Sequence, residues 1–342
     1  MQKAVIILVL QVVMLFGKPY TDMLNRVVEI PKIETIVCIG PGALRLATYL
    51  GLHERLVGIE KTENSATLLL PYRTFLGKEK IAKLPIIGEG GAGKLPDFEA
   101  LLLLKPDFII ASFMDKSQMD LITQKTGIPV LSLSYRASYG GTKAQLESIK
   151  NSLLLLGTVT NTLAKAENLV TFMNHQEAKL LALKIPRKKV YIAGIGYKGV
   201  QGLLSTEANY LPFELLGIKN SVFENTQTIG HHFIDLESLL KSNPEIIFID
   251  RFGKVKVNAE YLSQKAIYDS IDAYEKSNIK EVLNYNFYSI NVENIFVIAW
   301  QIASYMGEKT NINTEIDSVF KAFYEEDGLN LLQTLNINSA FK

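Results

Sequence analysis

The 342-residue sequence contains a single cysteine, Cys38. No internal disulfide can form, and metal centres built from several thiolates are excluded. Cys38 lies in the run Thr35-Ile36-Val37-Cys38-Ile39, where a small buried hydrophobe is expected. An excess of one charge is also missing. Lysine and arginine total 36 against 35 aspartates and glutamates, so there is no basic field to hold a polyanion, and nucleic acid is not an expected partner. The sequence has four histidines, without an H-x-x-x-H spacing. It also lacks a G-x-S-x-G, a defensible Ser/His/Asp arrangement and a paired-carboxylate pattern, which leaves enzymatic chemistry with little support.

Long apolar runs are absent beyond the first residues, and nothing there approaches the roughly 18 to 20 residues of a spanning helix. The opening, MQKAVIILVLQVVMLFGKPY, places Lys3 before a charge-free, largely apolar stretch from Ala4 to Phe16. This pattern predicts a secretory signal peptide over residues 1–17, with a buried first strand as the alternative. No cysteine follows the leader, so a lipid anchor is not indicated. The mature protein is expected to be soluble and periplasmic.

What is present is an alternation of short apolar runs and helical patterns, the signature of parallel-sheet α/β architecture. Strands are predicted at TIVCIG (35–40), RLVGIE (55–60), DFIIAS (107–112) and PVLSLS (129–134). Further along they are predicted at KVYIAGIG (189–196), EIIFID (245–250) and, more weakly, SVF (221–223). Helical periodicity runs from Lys143 to Leu183 with a break expected at Gly157. The length suits two domains. They are an N-terminal lobe over 22–158 and a C-terminal lobe over 186–342, joined by a long helix over 159–185.

One segment occurs twice. PDFEALLLLKPDFIIAS (96–112) and IDLESLLKSNPEIIFID (234–250) align without a gap. Asp97 falls over Asp235, Glu99 over Glu237, Leu101 over Leu239, Pro106 over Pro244, and Asp107 over Glu245. Each aspartate suits a helix N-cap, and each glutamate the first turn, where the macrodipole favours an acid. Each proline ends the helix and leads into a strand.

Ligands of open α/β sheets lie beyond the carboxyl ends of the strands. That position nominates Gly42 and Arg45 in IGPGALRL, then Glu60, Ser112, Tyr135, Arg136, Tyr197, Lys198, and Arg251 beside Asp250. Tyr72-Arg73, Tyr210, and Tyr285 with Tyr288 in NYNFYSIN add amphipathic aromatic surface for a bulky polar ligand. GEGGAGKL (88–95) nearly spells a phosphate-binding loop, but Leu95 stands where a hydroxyl is needed, so a loop leading into the capped helix is expected. His231 and His232 can meet one metal ion only from a loop, because adjacent strand residues point to opposite faces. Imidazole there suits nickel, cobalt, zinc or iron.

The order IGPGALRLATYLGLHERLVGIE, LPIIGEGGAGKLPDFEALLLLKPDFIIAS, a long central helix, VYIAGIGYKGVQGLLST and FIDLESLLKSNPEIIFID resembles the substrate-binding proteins of iron-complex and cobalamin ABC importers. The resemblance implies two Rossmann-like lobes with mainly parallel sheets, bridged by a single long helix, with ligand in the cleft between them. It implies a monomer without a cofactor of its own. The bound ligand would be a ferric siderophore, haem, cobalamin or another metal chelate. An ABC permease and its ATPase at the inner membrane are the implied partners, with Glu99 and Glu237 docking on permease arginines. The alternatives are a molybdate- or tungstate-type oxyanion ligand, held by helix-end amides with Arg45, Arg136 or Arg251, and an exported two-domain metal-binding enzyme.

Overall fold

The computed structural model describes residues 17–64, 70–133 and 143–325. The expected leader up to Phe16, and Tyr135 and Arg136, lie outside the described residues. The chain divides into two compact units, Met1–Ala137 with Glu147–Val170, and Ser138–Leu146 with Thr171–Lys342.

In the first unit, β1 (Lys18–Thr21) and β2 (Val27–Ile30) form an antiparallel hairpin. β3 (Ile36–Ile39), β4 (Phe108–Ala111) and β5 (Val130–Ser132) make a parallel sheet in that order. Every residue of these three strands is buried, as continuous apolarity requires of strands covered on both faces. Val37, Ile39, Leu101, Ile109, Met119 and Ile122 share one core. The hairpin gave no clear sequence pattern because polar contacts hold it. Asp22 Oδ1 accepts from the Leu24 and Arg26 amides, while its Oδ2 accepts from Arg26 Nε and the Ser132 amide of β5.

In the second unit, β6 (Val190–Ala193), β7 (Ser205–Glu207), β8 (His231–Phe233), β9 (Ile246–Asp250) and β10 (Ile279–Val282) form two sheets. The larger is parallel, ordered β10-β9-β6, and β7 pairs with β8 antiparallel. The Val292–Tyr305 helix is buried almost all round, and Trp300 donates its indole N–H to Gln176 Oε1 at 2.9 Å. The whole is a mixed α/β fold with parallel central sheets.

The repeated segment has the same construction in each unit. Its helices are Phe98–Leu104 and Leu236–Ser242, and they end on Lys105 and Asn243, both in the left-handed region at φ 48° and 41°. Asp97 caps the first by accepting from the Glu99 and Ala100 amides, and Asp235 caps the second through the Ser238 amide. Leu101 and Leu239 are fully buried. The following acids act alike: Asp107 Oδ2 accepts from the Glu34 and Thr35 amides, and Glu245 Oε2 from the Lys189 amide. Each copy then becomes the central strand of its parallel sheet, β4 or β9.

Three expectations need correction. Residues 55–60 make only isolated bridges, Leu56 to Ile36 and Ile59 to Ile86. SVF forms a 3₁₀ turn, Ser221–Phe223, because buried Asn220 caps it while donating to Thr206 Oγ1 and the Glu207 carbonyl. Gly157 does not break its helix. The helix Lys143–Thr160 passes through it, and the break falls at Asn161, φ 60°, before the Leu163–Leu181 helix.

Gly157 instead admits a neighbour: a Cβ there would stand 2.7 Å from Ala166 Cβ and 3.1 Å from Leu163 Cα. Helix propensity favours alanine over glycine by about 1 kcal/mol, but overpacking costs about 1 to 3 kcal/mol. Gly157→Ala is expected to lower unfolding stability by about 1 kcal/mol net. A urea melt in which the variant is more stable than the parent would refute this account of the glycine.

Candidate functional site

The carboxyl ends of the two parallel sheets carry the residues to be weighed, one unit at a time. In the first unit, β3 ends at Gly40 and Gly42, both at φ 83°. The Gly40 amide donates to Glu60 Oε1 at 3.0 Å, and the Ser112 hydroxyl donates to the Pro41 carbonyl at 2.7 Å. Gly42 precedes the Ala43–Tyr49 helix, in which Arg45 is fully buried with its guanidinium 4.7 Å from the Tyr72 ring centroid. Glu63 Oε2 accepts from the Tyr72 hydroxyl at 2.5 Å and from Arg73 Nη2 at 3.0 Å. Burial and the nearby Glu63 push the Tyr72 phenol up, so it stays protonated and donates. Burial, reinforced by Glu60 and Glu63, likewise raises the Cys38 thiol well above its ordinary value, so Cys38 is an inert core residue. Gly42, Arg45, Glu60, Tyr72, Arg73 and Ser112 thus lie on the loops and short helices of the first unit, with Glu63 as the buried anion that the sequence did not single out.

In the second unit, Tyr197, Lys198 and the antiparallel β7–β8 pair form an aromatic face. The His231 ring stacks on Tyr197, with centroids 4.3 Å apart and planes inclined by 5°. Phe233 meets both rings edge-on and is 60% exposed. Lys198 Nζ lies 5.5 Å from the Tyr197 centroid. Ser205 donates its only hydroxyl hydrogen to the Ile195 carbonyl, so at 2.7 Å from His231 Nε2 it receives the imidazole N–H. That fixes the tautomer and leaves Nδ1 with a lone pair and no partner among the described residues. Burial, with His232 close by, pushes the His231 imidazole down to about 4, so the lone pair persists at neutral pH.

The two histidines sit on a strand, not a loop. His232 lies against Phe223 with its Nε2 by the Ile229 carbonyl, and so keeps different company from His231. Among the described residues no group of three or more His, Cys, Asp and Glu side chains gathers to hold a bare ion.

Arg251 Nε donates to Glu281 Oε1 at 2.6 Å. Tyr285 is fully buried and packs edge-on to Tyr210, while Tyr288 is half-buried at φ 49°. Ser205 and Phe233 escaped the sequence reading because nothing in a three-residue strand marks them. A cavity of 820 Å³ in the first unit, lined by Arg26, Glu29, Lys116 and Asp120 among others, holds none of the nominated residues. Glu99 and Glu237 are exposed on the first turns of their helices and make no ion pair among the described residues.

A family model described as periplasmic binding protein matches residues 36–284, more than half of the chain. The chain therefore belongs to the periplasmic binding proteins, the non-enzymatic solute-binding components of ABC importers, and the exported-enzyme alternative falls.

The ferric-anguibactin-binding protein FatB of Vibrio anguillarum is 25% identical over 191 residues, 54% of this chain and only 58% of that protein. The molybdate-binding protein MolA of Haemophilus influenzae is 26% identical over 260 residues, 69% of each. Its molybdate-bound structure has a TM-score of 0.68 at 19% identity, covering 91% of this chain and 99% of that one. The periplasmic heme-binding protein HutB of Vibrio cholerae gives a TM-score of 0.59 at 18% identity, covering 81% and 100%. At those identities the two solved structures establish the fold alone. No helix among the described residues is long and apolar enough to cross a membrane.

Proposed function

We propose that this chain is a periplasmic binding protein, exported by its leader, that captures a metal complex and passes it to the permease and ATPase of an ABC importer. The metal arrives as part of the cargo. The observation that carries this reading is the aromatic face of Tyr197, His231 and exposed Phe233, whose imidazole Nδ1 has no partner among the described residues. Planar rings stack on such a face, and Nδ1 suits an open coordination position of an iron or nickel chelate. FatB and HutB, named for ferric anguibactin and heme, are relatives in keeping with it.

MolA keeps a tetrahedral oxyanion in view, but Arg73 and Arg251 already face Glu63 and Glu281, which reduces the positive field such an anion needs. On the same reading Glu99 and Glu237 dock the permease, the linking helix expected over 159–185 is the Leu163–Leu181 helix, and the protein works as a monomer. Gly42, Arg45, Glu60, Tyr72, Arg73, Ser112, Tyr197, Lys198, Arg251, Tyr285 and Tyr288 remain the ligand-facing candidates.

Calorimetric titration with ferric anguibactin, haemin, cobalamin, nickel-histidine and molybdate tests the proposal. Calorimetry is preferred to fluorescence because Trp300 is sealed in the core. One of the metal complexes is expected to bind stoichiometrically, and His231→Ala to weaken it about tenfold or more. Stoichiometric binding of molybdate alone would overturn the metal-complex reading.

A further inference from the structure

Three loops follow the parallel strands of the second unit, and all three meet one buried carboxyl group or its immediate neighbours. Asp250, the last residue of β9, is fully buried. Its Oδ1 accepts from the Phe252 amide at 2.8 Å, in the loop after its own strand. Its Oδ2 accepts from the Tyr285 amide at 2.7 Å, in the loop after β10. From that second loop Asn286 Nδ2 donates to the Gly196 carbonyl at 3.1 Å, drawing in the loop after β6. Phe252 meets Phe287 edge-on at 6.1 Å. Tyr197, Lys198, Arg251, Tyr285 and Tyr288 all stand on these loops.

We infer that Asp250 is a positioning residue for the ligand-bearing loops of the second unit, its one carboxyl group clamping the loop after β9 to the loop after β10. This rests on the reading that those loops carry ligand. A carboxylate satisfies both amides with strong charge-assisted bonds, whereas a carboxylic acid turns one oxygen into a donor and weakens one side of the clamp.

The groups facing Asp250 are Arg251, Glu281 and the phenol of Tyr210. Arg251 is engaged by Glu281, and Tyr210 also faces buried Glu207. Burial pushes the Asp250 acid up to about 7, against the pull of its two amide bonds, Arg251 opposing the rise and Glu281 adding to it. Because the folded-state value lies above the ordinary 3.8, the contribution of Asp250 to stability is complete below that ordinary value and is lost as pH rises through the folded one.

The test is amide hydrogen exchange of Phe252 and Tyr285 in the ligand-free full chain at one fixed pH, corrected for intrinsic rates. One carboxyl group holds both amides, so in the parent their protection is expected to agree within about threefold. In Asp250→Asn, checked for fold by circular dichroism, the side chain keeps one acceptor oxygen, so at least one of the two amides should lose about tenfold in protection while the Ile247 and Phe248 amides of β9 keep theirs. The parent comparison stands by itself if that variant does not fold. Protection of the two amides differing by more than about tenfold in the parent, or undiminished protection of both in Asp250→Asn, would overturn the inference. No ligand takes part, so failure of the clamp and failure of the proposed function are separately visible.

Discussion

Glu99→Lys combined with Glu237→Lys is expected to cut cellular uptake at least about tenfold while leaving the affinity for the transported complex within about twofold. Both acids are exposed and unpaired among the described residues, so the substitutions break no internal ion pair. Each helix keeps its aspartate cap and its buried leucine. The cost to the fold is confined to an unfavourable charge at a helix N-terminus, about 0.3 to 1 kcal/mol each. The expected loss is therefore one of docking, an encounter between exposed opposite charges whose rate falls with salt. Uptake assays in cells expressing the double variant, alongside calorimetry on the purified protein, separate the two quantities. Normal uptake would remove both residues from the docking surface, and a parallel loss of affinity would place them in the binding site.

Gly40→Ala is expected to destabilise the protein by about 3 kcal/mol. Two independent effects act at this position. Its backbone lies at φ 83°, a region L-residues rarely occupy, and a Cβ would stand 2.1 Å from the Ser112 carbonyl oxygen. Neither is relieved by a side-chain movement, because the obstructing atom is backbone at the end of β4. The amide of Gly40 also holds Glu60, so any shift that relieves the clash disturbs the candidate ligand loop of the first unit. Equilibrium denaturation gives the measurement, and a loss below about 1 kcal/mol would show that the loop yields more easily than its geometry implies.

The parallel sheets were legible because strands covered on both faces need unbroken apolarity, as in IVCI, FIIA and IIFID. The capped helices were legible because aspartate, acid, buried leucine and proline each have a positional meaning. The antiparallel pairs were not. β1 and β2 depend on Asp22 and Arg26 meeting the backbone of β5, and β7 and β8 are three residues each, so their strand character comes from contacts distant in sequence. Gly157 misled for a related reason: glycine reads as a helix breaker, yet a close neighbour can require it inside a helix. At the candidate site, position beyond the strand ends picked out the first-unit loops and Asp250 with Arg251. It could not pick out Ser205, whose importance lies in the single hydrogen it spends on Ile195 and the imidazole tautomer that follows.

The duplicated helix and strand also make the chain its own mutational record. Where the first copy shows solvent Leu103, 84% exposed, the second shows Lys241 at the same place on the same scaffold. Where the first closes its helix with Lys105, the second uses Asn243, and both hold the left-handed turn. What is shared between the copies marks the constraint, and what differs marks the freedom: cap, buried leucine, turn and amide-binding acid are fixed by the architecture, while the outward letters are open to change.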